Sequence, residues 1–183
     1  MAGLPVAVIG AGPQGLAAGT QLLERGLEPF VFEAGDGPGA AVAAWGHVQL
    51  FSAWPELIDP AAARLLAPTG WIAPAGGVSD RRRVGRFVSG PLAEALGERG
   101  QYGTRVVGVS RHGLDRLVTA GRDEAPFVVH AVGRDGVETR HTVRAAIDAS
   151  GTWRQPNPAG ADGLPAQIGP PATGRALMLP LRR

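Results

Sequence analysis

A short uninterrupted apolar run, Val6-Ala7-Val8-Ile9, passes directly into Gly10-Ala11-Gly12-Pro13-Gln14-Gly15, and this junction restricts the fold more than any other part of the chain. Four consecutive apolar residues without polar alternation are what a strand needs when both faces of a parallel sheet are covered. A helical pattern follows from Pro13, with Leu16, Thr20 and Leu23 on one stripe and Leu22 beside it, ending at Arg25-Gly26. A basic residue in the last turn and a glycine beyond it suit a left-handed helix stop. Phe30-Val31-Phe32 is a second apolar run and ends at Glu33. Strand, glycine turn, helix and strand within some thirty residues make one βαβ unit and predict an α/β fold with a parallel sheet.

Gly10, Gly12 and Gly15 fit G-x-G-x-x-G, a weak signal alone in a chain with 28 glycines. Its context strengthens it: a strand precedes it, a helix follows, and an acid ends the next strand 18 residues after Gly15. Each position has a physical task. Gly10 permits the tight turn, Gly12 lets backbone approach a pyrophosphate, and Gly15 allows close helix–strand packing. The helix N-terminus that Pro13 and Gln14 open offers free N–H groups from Gln14 onward, since Pro13 has none, and a partial positive charge to phosphate. Glu33, with Ala34 after it, is placed to accept hydrogen bonds from ribose hydroxyls. An acid here, where a 2′-phosphate would call for Arg, points to FAD or NAD and away from NADP.

Past Glu33 the pattern predicts a loop (EAGDGPGAAVAAW) and an aromatic stretch (WGHVQLFSAWPEL). Asp59-Pro60 opens a helix through Leu65 and Leu66 that stops before Pro68. A second helix starts near Ser89-Gly90-Pro91 and runs through Leu92, Ala95 and Leu96 to Gly100. Thr104 to Val109 is a strand candidate. Residues 115–149 supply four more short extended candidates (RLVTAG, APFVVHAVG, VETRHTV and RAAIDAS), with a hairpin turn at Gly133 to Gly136. An antiparallel meander ahead of a last buried strand, Ala145 to Ala149, is the expected arrangement. After Thr152 the chain is rich in Pro and Gly without period, and residues 159–183 are expected to be a poorly ordered tail.

Composition excludes several functions. The absence of cysteine removes disulfides, thiolate zinc sites and cysteine nucleophiles. Net charge is only +2, and every basic residue is Arg. The run Arg81-Arg82-Arg83 has no aromatic platform or partner stripe, so no nucleic-acid partner is expected. No basic n-region opens the chain and no apolar run approaches the roughly 18 residues of a membrane helix. A soluble cytoplasmic protein without a membrane partner is the expectation. Of the four histidines, none has metal-ligand spacing, and no metal site is expected. His112 and His141 are expected at the surface and His130 in a structural role, while His47 follows a Trp in the aromatic stretch. Asp148 is placed to position the turn after it. No catalytic residue is assigned.

Residues 147–156, IDASGTWRQP, complete the pattern. Together with the glycine loop, this stretch resembles the two-dinucleotide-binding-domain flavoproteins, and within them the flavin-containing monooxygenase branch. The matching residues are Gly10, Gly12, Gly15 and Glu33, then Gly37-Pro38-Gly39 leading to Trp45, and then Ala149-Ser150-Gly151 with Pro156. TRVVGV is similar to the strand whose backbone meets the adenine, at Val106. The resemblance covers residues 5–158 and implies a Rossmann-like domain with an inserted antiparallel meander. It implies FAD as the cofactor, NAD(P)H as the reductant of the complete enzyme and a small-molecule substrate. It adds Trp45, Val106, Ala149, Ser150 and Gly151 to the cofactor-binding set, with Phe51-Ser52 near the flavin or the adenosine.

Such flavoproteins carry a second glycine-rich motif for NADPH and a C-terminal Gly-Asp turn beside the flavin. Neither is found here, since Gly169 to Gly174 is GPPATG and its prolines lack the required backbone donors. The expectation is therefore that residues 1–158 form an incomplete FAD-binding domain of an oxidoreductase, truncated or altered in reading frame. The alternatives are a disulfide reductase, against which the missing cysteines argue at least for this half, and a non-catalytic nucleotide-binding remnant holding FAD or NAD weakly.

Overall fold

The computed structural model describes residues 3–44, 49–75, 78–80, 84–152, 158 and 164. The chain divides into two compact units, Met1–Gly151 and Thr152–Arg183, and the architecture below is that of the first. Its centre is a parallel sheet of strands β1 (Val6–Ile9), β2 (Pro29–Glu33), β5 (Gly100–Tyr102) and β9 (Ala145–Asp148), in the order β5-β2-β1-β9. Helices α1 (Pro13–Glu24), α4 (Pro60–Leu66) and α5 (Gly90–Leu96) cover one face. An antiparallel sheet of β6 (Arg105–Arg111), β7 (Phe127–Val132) and β8 (Glu138–Val143) covers the other. Short elements α2 (Ala40–Ala44), β3 (Gln49–Ala53), α3 (Trp54–Leu57) and β4 (Val78–Asp80) lie between β2 and α5, with β3 and β4 paired antiparallel.

The period-2 geometry of the strands explains why the first apolar run has no polar alternation. Val6 and Val8 of β1 join the helix-side core with Leu16, Leu66, Leu92 and Leu96, while Ala7 faces Val129, Ala131 and Val143 of the antiparallel sheet. In β2, Val31 faces the helices and Phe32 the meander. Both faces are therefore dry, as a parallel sheet requires. Each fully buried Leu, Val or Phe of these clusters contributes about 1.5–3 kcal/mol.

Helix α1 ends as its residues dictate. Gly26 takes φ 67°, and Leu27 N–H donates to the Leu22 carbonyl at 2.9 Å, Gly26 N–H to that of Leu23 at 3.0 Å. These are the two bonds of a Schellman stop. At α4, Asp59 caps the first turn through Oδ1, accepting from the Ala61 and Ala62 amides at 2.8 and 3.2 Å. The Gln21 amide donates to both Asp59 oxygens at 2.9 and 3.0 Å, locking α4 to α1. The hairpin between β7 and β8 closes at the expected place, with Gly133 N–H bonded to the Val137 carbonyl and Gly136 at φ 78°.

Three expectations are corrected. The helix expected to run to Gly100 ends at Leu96; a 3-10 turn follows, and Gly100–Tyr102 pairs with β2 as an edge strand. Three residues are too few to show a strand period. The segment RLVTAG is a run of turns. Leu117 N–H donates to the Asp115 carboxylate at 2.9 Å, and the Leu117 side chain is 92% exposed, so neither ladder nor core holds it extended. Finally, β9 is not buried: it is the other edge of the sheet, and Ile147 and Asp148 are exposed.

Candidate functional site

The glycine loop sits at the carboxyl end of β1, whose neighbours β2 and β9 leave in opposite directions across the sheet. Ligands of open parallel sheets bind at such a switch point. Gly10 has φ 103°. A Cβ there would stand 2.7 Å from the Ala149 carbonyl oxygen and 3.0 Å from the Ser150 Cα. Gly15 is as constrained, since its Cβ would fall onto the Gly10 carbonyl oxygen. These two glycines are required by the protein's own packing. Gly12 differs. It adopts extended φ −71°, ψ 179°, and a Cβ there would meet no protein atom within 4 Å.

Gly12 is also the N-cap of α1, and no side chain caps that helix, nor does an acid occupy its first turn. Pro13 and Gln14 are exposed at this end. The first-turn amides thus face open space above Gly12 with a partial positive charge and no protein acceptor supplied by a side chain. This donor set and this free approach fit a pyrophosphate.

Glu33 lies at the end of β2 and is tied into the same loop. Its Oε2 accepts from Ala11 N–H at 2.7 Å and its Oε1 from Gly35 N–H at 2.7 Å. The carboxylate therefore fixes the glycine loop and the post-β2 loop to each other, and each oxygen retains a lone pair for a further donor such as a ribose hydroxyl. Ala34 is half-buried beside it. Gly39 closes the site from the same loop: at φ 67° it donates its N–H to the Ala11 carbonyl at 2.8 Å.

The second motif meets the first. Ala149 N–H donates to the Ile9 carbonyl at 2.9 Å, which sets Ala149-Ser150 against Gly10. Asp148 holds the turn through Oδ1, accepting from Ser150 N–H at 3.0 Å and Ser150 Oγ–H at 2.6 Å. The Ser150 hydroxyl bond, with the amide bond behind it, holds the Asp148 carboxyl below its ordinary pKa against a small opposing effect of burial. Gly151 follows at φ 68°. The structure thus brings Gly10, Gly12, Pro13, Gln14, Gly15, Glu33, Ala34, Ala149, Ser150 and Gly151 to one end of the sheet.

Other positions separate from this group. Val106 sits in β6, partly buried between the two sheets and paired with Ala131 just before a register shift. Trp45 and His47 lie outside the described residues. Phe51 is 93% exposed. His130 has the Ser110 hydroxyl as partner at 3.1 Å and His112 is exposed in the turn after β6. His141 corrects its expectation: it is half-buried, its ring edge-on to Phe30 and Phe32 with centroids 5.1 Å apart, and burial lowers its pKa. A β-strand residue facing a covered sheet is buried whatever its polarity, and the sequence does not show which sheet lies opposite.

Sequence reasoning missed Gly35 and Gly39 as bonding partners of the loop, and it missed Gly103, whose N–H donates to the Gly35 carbonyl at 2.8 Å. The pattern Gly35…Gly39 was visible; the partners were not. A cleft of about 390 Å³ opens beside the helix end, between Pro13 and Gln14 on one side and Pro55, Asp59, Val88 and Ser89 on the other. It was not foreseen either, because the π-turn at Gly85–Ser89 that carries Val88 and Ser89 leaves no periodic signal. Among the described residues, no helix is long and apolar enough to cross a membrane.

Residues 8–67, which hold the whole βαβ unit and Glu33, match the family model described as an NAD(P)-binding Rossmann-like domain. No curated protein sequence matches the chain. Among solved structures, the bacillithiol disulfide reductase Bdr (YpdA) from Bacillus cereus is similar at 23% identity and TM-score 0.66, over 87% of this chain and 42% of that one. OTEMO in complex with FAD and NADP is similar at 18% identity and TM-score 0.57, over 81% of this chain and 25% of that one. The rebeccamycin biosynthetic enzyme RebC with reduced flavin is similar at 16% identity and TM-score 0.55, over 81% and 32%. The chain therefore spans less than half the length of these structures. Residues 8–67 thus carry the pattern of an NAD(P)-binding Rossmann-like domain, and the chain shares its fold with parts of these three structures.

Proposed function

We propose that this chain is the FAD-binding part of an NAD(P)H-dependent oxidoreductase, monooxygenase-like in reaction class and acting on a small molecule. The observation that carries this is Gly12: the protein's own packing does not require a glycine there, and a close approach by a ligand does. Glu33 supports the adenosine half, with lone pairs left at the place where ribose hydroxyls would lie beside the pyrophosphate site. Bound FAD would supply the electron transfer. The residues of this chain bind and orient it: the α1 amides at the phosphates, Glu33 at the ribose, and the Ala149-Ser150 turn as a flat backbone surface. Fold alone does not choose a reaction, so the monooxygenase assignment rests on the motif order Gly37-Pro38-Gly39, then Ala149-Ser150-Gly151 with Pro156.

A second function on the same site is a nucleotide-binding module without turnover. It is favoured by the chemistry of Glu33, the one titratable residue bonded into the glycine loop among the described residues, whose two oxygens are both engaged by backbone amides. The disulfide reductase alternative is opposed, for the part of the protein given by this chain, by its lack of cysteine. Purified protein mixed with FAD or with NAD, and then with NADPH under anaerobic conditions, separates these. Retained flavin supports the FAD-binding part, bleaching of that flavin by NADPH would show turnover by this chain itself, and retention of NAD without flavin supports the module. No retained flavin overturns the proposal.

A further inference from the structure

The hairpin between β7 and β8 reaches the ribose end of the site. Arg134 at its tip forms an ion pair with Asp36 at 2.5 Å, and Asp36 follows Gly35 in the loop that Glu33 fixes. The Arg134 side chain lies across Gly103, so closely that a Cβ on Gly103 would collide with its guanidinium Nε and with Cδ and Cγ at 2.9 Å. Gly103 in turn donates to the Gly35 carbonyl, and Thr104 donates to the Glu33 carbonyl, both at 2.8 Å. Arg134, Asp36, Gly103 and Glu33 therefore converge at the carboxyl end of β2.

This placement has no adequate explanation in stability. Both partners are exposed, Arg134 at 60% and Asp36 at 89%, and exposed ion pairs contribute little. Two chain features nonetheless serve it: a buried glycine at φ 65° that leaves room for the side chain, and a tight hairpin that aims it. Asp36 also neutralises the guanidinium charge, which leaves less of it for a phosphate. Its flat face remains, and planar guanidinium groups stack on aromatic rings.

We propose that Arg134 stacks on the purine of the bound dinucleotide and that Asp36 holds the guanidinium in place for it. Arg134 is then a binding residue for the adenine half. The inference rests on the dinucleotide-binding function proposed above. Its test uses the full chain, with FAD and ADP as probes, and the variants Arg134→Ala and Arg134→Lys. Wild type is expected to bind both probes. Arg134→Ala is expected to weaken ADP and FAD by about fivefold or more with an unchanged Tm. Arg134→Lys keeps the charge without the planar face and is expected to stay weakened. Unchanged ADP affinity in Arg134→Ala overturns the proposal, as does full rescue by Lys, which would make the contact purely ionic. A fall in Tm that parallels the loss of ADP overturns it in favour of a structural role. Wild type that binds neither probe overturns the dinucleotide function itself and the proposal with it, whereas binding unaffected by either variant removes the proposal alone.

Discussion

Gly10 lies against the Ala149 carbonyl so closely that a Cβ at Gly10 would stand 2.7 Å from the oxygen. This contact joins the two ends of the domain: the first strand's glycine loop and the turn after the last strand, 139 positions apart in the chain. The phosphate loop is thus shaped by a strand that the chain completes only at β9. Deleting residues 145–151 is expected to disturb the glycine loop as well as the sheet edge.

Gly10→Ala places the new methyl group against backbone, at a φ of 103° that L side chains rarely adopt. A loss of about 1–3 kcal/mol is expected from the backbone conformation alone. Chemical denaturation of the variant beside wild type measures it. An unchanged midpoint would mean that the loop and the Ala149 turn are not packed as described.

Glu33→Gln replaces one accepting oxygen with an N–H₂ group that faces a backbone N–H, whichever way the amide is turned. Either Ala11 N–H or Gly35 N–H then loses its acceptor. The expected cost is about 1–3 kcal/mol of stability, because a partly buried donor is left unpaired. Weaker binding of ADP should accompany it. Thermal denaturation and ADP titration of the same sample check both; a variant as stable as wild type would remove Glu33 as the clasp between the two loops.

Tyr102 carries a buried hydroxyl with no hydrogen-bond partner among the described residues. Burial, with the Glu33 charge adding to it, raises its pKa, so the phenol stays neutral. Tyr102→Phe removes the unsatisfied group and keeps the ring in the helix-side core. Stability is expected to hold or to rise by about 1 kcal/mol. Clear destabilisation in a denaturant melt would show that the hydroxyl has a partner.

His141 gives the fold a pH dependence. Its pKa is lowered by burial against Phe30 and Phe32, so the unfolded chain binds its proton more tightly than the folded one. The associated stability is present above the unfolded value of 6.5 and is lost as pH falls from there through the folded pKa. Tm is expected to decline as pH is lowered below 6.5, and His141→Leu should flatten that part of the profile. An equal slope in both proteins would assign the effect elsewhere.

Much of this was legible in local pattern. Val6–Ile9, the Pro13 helix, Arg25-Gly26 and Asp59-Pro60 are each specified by their own residues, and the structure follows them. The position of Glu33 at the end of β2, beside the glycine loop, was recognisable from its spacing to Gly15. What stayed hidden depends on partners distant in sequence. Gly100–Tyr102 is a strand because β2 has a free edge there, and His141 is half-buried because Phe30 and Phe32 lie across from it. Arg134 meets Asp36 because a hairpin about 100 positions after Glu33 folds back over Gly103. Hydrophobic period marks which face of an element is covered, but not which element covers it.

In the proposed function, Gly12 is a glycine for a ligand's sake. The most direct measurement is an equilibrium titration of wild type and Gly12→Ala with FAD, each paired with its Tm. The open space around Gly12 and its extended backbone predict an unchanged Tm. Wild type is expected to bind one FAD, and the added methyl group is expected to weaken it by about tenfold or more, about 1.4 kcal/mol. Equal affinity in the two proteins, or no binding by wild type, would contradict the claim.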